Sequence, residues 1–177
     1  CTAPQVSVDE IERLGYADLQ EYLDDTLSLS RWRSVEIALS VNSTNATDSR
    51  GANFVNSSPY FSIQSRRRVG LVSRSDDDSS NTLANATIVV NSHAEVRLDG
   101  LVLSSVKADI DSGTVTFVRS ILSGLSEVRG TNGHVELTST RLVDDTHIRE
   151  EGGGSIAALY SSIDQSAKIE TGKGSLS

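Results

Sequence analysis

The side chains best equipped for chemistry are acids that come in pairs. Asp109 and Asp111 flank Ile110, Asp144-Asp145 lead into His147, and Glu150 adjoins Glu151. Two carboxyl groups held ~5–9 Å apart can cleave a glycosidic bond, one as acid and the other as base or nucleophile. Carboxylates beside an imidazole, as in Asp144, Asp145 and His147, suit a divalent cation. Both readings need the groups to converge, and the spacing does not make them. Asp109 and Asp111 point outward from one strand, but the positions two before the later anchor glycines are Thr131, Gly152 and Gly172. No column of acids forms, and solvated surface charge is the simpler account.

Other motifs are weaker. Asp76-Asp77-Asp78 lacks the spaced ligands and the glycine of a calcium loop. His93, His134 and His147 are scattered, and no nucleophile elbow, phosphate loop or H-E-x-x-H is present. Gly152-Gly153-Gly154 precedes no helical pattern, so it reads as a corner rather than a phosphate cradle. Arg66-Arg67-Arg68 suits a processing site, an acidic partner or the charged defence of a strand edge. Trp32, between Arg31 and Arg33, could stack on a sugar or pack in a core.

Composition narrows the class. The 177 residues carry a net charge of −8, which opposes binding to nucleic acid and to anionic membrane surfaces. No apolar run approaches the ~20 residues of a membrane span. Cys1 is the only cysteine, so it is a candidate lipid anchor or half of an external disulfide. Four N-x-[ST] sequons, at Asn42, Asn45, Asn56 and Asn85, are glycosylation candidates and favour an extracellular or cell-surface setting. No cofactor is expected.

The elements that must position these groups follow two grammars. Ser7 to Glu10 reads SVDE, a capping box. Val8, Ile11, Leu14, Leu19, Tyr22 and Leu23 then share one half of a helical wheel, which predicts a helix from about 8 to 24 that packs as a cap. Leu27 and Leu29, then Val35 to Val41, alternate as a strand does, and 60–63 and 69–72 read as short strands. Residues 42–58 and 73–81 read as polar loops.

From about residue 84 the chain repeats itself. Gly113, Gly133, Gly154 and Gly174 are spaced by 20, 21 and 20 residues, with a weaker copy starting at Ala94. Two after each anchor come Val96, Val115, Val135, Ile156 and Leu176; four after come Leu98, Phe117, Leu137 and Ala158; nine after come Leu103, Leu122, Leu142 and Ile163. A fourth set before the later anchors is Ile110, Val128, Ile148 and Ile169, and Ser120, Thr140 and Ser161 recur at position seven. Each short strand has an apolar face too small to bury alone. Stacking copies ~4.8 Å apart buries it and pairs every strand with the one above and below. Glycines suit the corners, where φ is positive or the backbone approaches closely. The expectation is a mainly β chain: a parallel β-solenoid (β-helix) over 84–177, with 1–83 as an N-terminal cap of helix, short strands and polar loops. An antiparallel sandwich is the alternative.

Residues 94–177, with the local form G-x-[VI]-x-[FLA]-x-x-[ST]-x-[LI], resemble the right-handed parallel β-helix repeats of pectin-lyase-like and adhesin-like surface proteins. That resemblance implies an extracellular protein, either a structural or adhesin-like module or a carbohydrate-active enzyme with a groove along one sheet. Gly174-Ser-Leu-Ser177 falls mid-repeat. The coil is therefore expected to continue in further chain, or to be paired by another copy of itself as in a filament; glycans are the other expected partner.

Overall fold

The computed structural model describes residues 5–16, 19–28, 34–39, 60–73 and 81–177. It is a parallel β-solenoid. Five complete turns contribute one strand to each of three sheets: β4–β6 (Arg68–Ser73, Asn81–Ala84, Thr87–Val90), β7–β9 (Glu95–Asp99, Leu101–Ser104, Lys107–Asp111), β10–β12 (Thr114–Val118, Ile121–Ser123, Glu127–Thr131), β13–β15 (His134–Thr138, Arg141–Leu142, His147–Glu150) and β16–β18 (Ser155–Leu159, Ser162–Ile163, Lys168–Thr171). A last short strand, β19 (Ser175–Leu176), begins a sixth. On the other side, β1 (Gln5–Ser7), β2 (Ser34–Leu39) and β3 (Tyr60–Ile63) are further rungs, so the sheets run through residue 84 rather than starting there. All pairs among the described residues are parallel, which excludes the sandwich.

The predicted columns stack rung over rung. Val96, Val115, Val135, Ile156 and Leu176 are register partners in series, and Val35 and Val69 extend the same column downward. Leu98, Phe117 and Leu137 form the second column and Leu103, Leu122 and Leu142 the third, all essentially buried. Such burial removes apolar surface from water at roughly 25 cal/mol per Å² and is what holds the turns together. One column needs correction. Ala108, not Ile110, aligns with Val128, Ile148 and Ile169. Ile110 stands instead between Val90 and Gly130, over which comes Glu150.

The corners are built differently from expectation. Positive φ falls one residue before the anchors, at Ser112 and Asn132, and not at the anchor glycines. Those glycines serve close approach: a Cβ on Gly133 would lie 2.6 Å from Ile110 Cγ2, and one on Gly154 would collide with the Gly133 carbonyl. Buried hydroxyls satisfy backbone groups between rungs. Ser120 Oγ donates to the Leu98 carbonyl at 3.2 Å and accepts from the Leu101 N–H at 3.3 Å. Thr140 Oγ1 donates to the Phe117 carbonyl at 3.0 Å. A second such ladder, Ser126 and Thr146, donates to the Leu103 and Leu122 carbonyls at 3.3 and 3.1 Å.

The N-terminal helical segment is two helices, α1 (Val8–Arg13) and α2 (Leu19–Ser28), rather than one. Gly15 at φ 89° ends the first, as left-handed glycine ends many helices. The break turns Leu14 out to 61% exposure, off the face assigned to it, and α2 takes Leu27 away from the strand pattern. Ile11, Leu19, Tyr22, Leu23 and Leu27 join the coil's core. Gln20 completes the cap. Its Oε1 accepts from the Ser62 N–H at 2.7 Å and its Nε2 donates to the Ser62 carbonyl at 3.1 Å, so one amide imitates a neighbouring strand at the open side of β3.

Candidate functional site

A group of ionisable side chains lies where β15 and β18 leave the sheet. An open hollow of about 590 Å³ is lined there by Arg149, Glu150, Glu151, Glu170, Thr171 and Gly172. Strand alternation decides which carboxylates face solvent. In β15, Ile148 and Glu150 are buried while Arg149 is exposed. Glu150 therefore occupies an interior column, and its neighbours are shaped around it. A Cβ on Gly130, one rung below, would collide with Glu150 Oε2. Glu150 Oε1 accepts from the N–H groups of Asn132 at 2.9 Å, Gly152 at 2.9 Å and Gly154 at 3.1 Å. The Gly152–Gly154 corner is thus an anion-binding nest filled by the chain's own carboxylate. Glu150 Oε2 is buried without a hydrogen-bond partner.

The other acids are engaged on the outside. Arg129 donates to Glu151 at 2.8 Å, and Arg149 stands 3.3 Å from its other oxygen. The hydrogen bond from Arg129 holds the Glu151 carboxyl below the usual range, against a smaller opposing effect of desolvation, and Glu151 holds the Arg129 guanidinium charged. His147 Nε2 lies 3.3 Å from a Glu170 carboxylate oxygen with no hydrogen bond between them. The best-buried ion cluster lies elsewhere. Asp99, its side chain 5% exposed, accepts from Arg97 at 2.7 Å and from Arg119 at 3.0 and 2.7 Å, tying two rungs together.

The sequence-derived candidates do not converge. Asp109 aligns laterally with Arg129, and Asp111 with Thr131. Asp144 accepts from the Gly124 N–H at 3.0 Å at a corner, away from His147's partner. Among the described residues no group of three or more His, Cys, Asp or Glu is placed to hold a metal ion. His134 meets Ser155 Oγ at 2.9 Å on the outer face, and His93 is exposed at a corner with φ 61°. Arg68 pairs with Glu95 at 2.9 Å across rungs, so the Arg66–Arg68 run turns a corner rather than guarding an edge. Asn85 is exposed at the β5–β6 corner with φ 54°. Cys1, Trp32, Asn42, Asn45, Asn56 and Asp76–Asp78 lie outside the described residues.

Sequence reasoning missed Glu150 as an interior group. The corner after β15 holds one residue more than the corner after β12, so counting back from the anchors puts Glu150 out of phase. The signal that would have found it is Gly130 at an otherwise apolar position, a vacancy inviting a larger neighbour. Among the described residues no helix is long and apolar enough to cross a membrane. Comparison with known proteins found no match to any family model, curated protein or solved structure.

Proposed function

We propose that this chain is a non-catalytic, extracellular structural or adhesin-like module whose working part is its long regular surface. One observation carries the reading. Two of the acids around the hollow are taken up by the fold: Glu150 by three backbone N–H groups and Glu151 by two arginines. A hydrolase or lyase needs carboxylates free to exchange protons with substrate, whereas a spacer or scaffold needs them neutralised. In this reading the chain belongs to a larger surface protein or filament, with sugars at Asn42, Asn45, Asn56 and Asn85, and Cys1 as lipid anchor or external disulfide.

The second reading is a carbohydrate-active enzyme of the pectin-lyase-like type, or a sugar-binding module using Trp32. The open hollow beside Glu151 and Glu170 is what favours it. Incubation with a panel of acidic and neutral polysaccharides, read as reducing ends and unsaturated products, separates the two. We expect no product above a buffer blank. Turnover lost in Glu151→Gln would replace the structural reading with the enzymatic one, and glycan-array binding lost in Trp32→Ala would replace it with the sugar-binding one.

A further inference from the structure

The corner that follows β15 is organised around a single side-chain oxygen. Glu150 Oε1 gathers the N–H groups of Asn132, on the rung below, and of Gly152 and Gly154 on its own rung. The donors are aimed without help from that side chain. Asn132 sits at φ 60°, and its Oδ1 accepts from the Gly153 N–H at 2.8 Å, which fastens the two corners to each other. The Glu151 N–H donates to the Gly130 carbonyl at 2.9 Å, and the Gly172 N–H donates to the Glu150 carbonyl at 2.6 Å. Strand pairing on both sides of Glu150 is therefore a matter of backbone alone.

Shape restricts what can occupy the space. A Cβ on Gly130 would collide with Glu150 Oε2. One on Gly154 would lie 2.7 Å from Glu150 Cδ, and one on Gly174 3.4 Å from its Cγ. Glycines from three rungs thus wall a pocket about one carboxyl group wide, and Glu150 is fully buried in it. Arg129 and Arg149 pair with Glu151 instead, so backbone donors supply the attraction. Convergent N–H groups shielded from water bind a charged oxygen more strongly than a neutral one.

We propose that this corner is a carboxylate-binding site in its own right. Glu150 is the ligand it carries on its own chain, and a free carboxylate of the size of formate takes the same place when that side chain is removed. The site stands apart from the structural reading of the whole chain and does not depend on it.

Glu150→Ala deletes the carboxyl group and keeps the strand. Sodium formate is the probe, with sodium chloride at equal ionic strength as the reference. Formate should slow hydrogen exchange at the Asn132, Gly152 and Gly154 amides together and shift urea unfolding toward the folded state. At ten times its dissociation constant, the folded-to-unfolded ratio should rise on the order of tenfold. Wild type and Glu150→Gln, whose own side-chain oxygen stays on the three N–H groups, should gain nothing over chloride. Should Glu150→Ala be unfolded in chloride, return of its β circular dichroism in formate supports the site. The proposal is overturned if formate does no more than chloride for Glu150→Ala, if wild type gains equally, or if the three amides stay unprotected.

Discussion

The first and the last described rungs of this coil differ in what lies against them. At the N-terminal end α2 lies across the β3 edge, buries Leu19, Leu23 and Leu27 in the core, and satisfies Ser62 through Gln20. At the last described rungs no helix plays that part: β17, β18 and β19 are the outermost strands of the three sheets, and Ile163 and Leu176 are half-exposed. The difference teaches that a parallel coil has no intrinsic stopping point. Each rung is stabilised by the next, so a coil is closed only by something that is not a rung, as α2 closes β3, and otherwise accepts another rung.

Substitutions can break that contrast or sharpen it. Phe117→Ala, in the fully buried middle, should cost about 3–5 kcal/mol, against less than about 1 kcal/mol for Ile163→Ala at the open end. Urea unfolding of the two variants checks this, and equal losses would mean that the end is covered in solution. Glu150→Ala should follow, at roughly 3 kcal/mol, because it strands the N–H groups of Asn132, Gly152 and Gly154. Hydrogen exchange at those three amides should rise selectively.

Gly130→Ala presses on Glu150 from the rung below and should cost about 1–3 kcal/mol by overpacking. Gln20→Ala uncovers β3 and should cost about 1 kcal/mol, with faster exchange at Ser62 and little change near β18.

The smallest effect concerns pH. Glu151 titrates below the usual carboxylate range in the folded chain, so its stabilising contribution is present above the unfolded value of about 4.3. It is lost as pH falls through the lower folded value. Thermal melts should show wild type losing slightly more stability than Arg129→Ala on going from neutral to acid. Parallel curves would mean the exposed pair contributes nothing, as many do.

Much of the fold could be read from residue spacing. Val115, Val135 and Ile156 are apolar because they share an inward face, and strict alternation reports that face without knowledge of the neighbours. The column through Ala108 was harder, since a small side chain carries a weak apolar signal where Ile110 carries a strong one two residues away. The earlier rungs were hidden in another way: β2, β4 and β7 stack in register, but long polar stretches separate their segments and erase the twenty-residue period. The candidate site was scarcely legible. Glu150 and Glu151 are neighbours in sequence, yet strand alternation sends one into the core and leaves the other outside with Arg129.

The amino-acid order by itself determined the rung: which residues alternate, how long a turn is, and that like residues recur, because these follow from local steric and hydrophobic periodicity. Only the tertiary structure decided where a turn sits against the next, which corner carries an extra residue, and that α2 closes the β3 edge. Those depend on contacts between segments twenty or more residues apart, whose register is set by side-chain volume and backbone pairing that no single repeat contains.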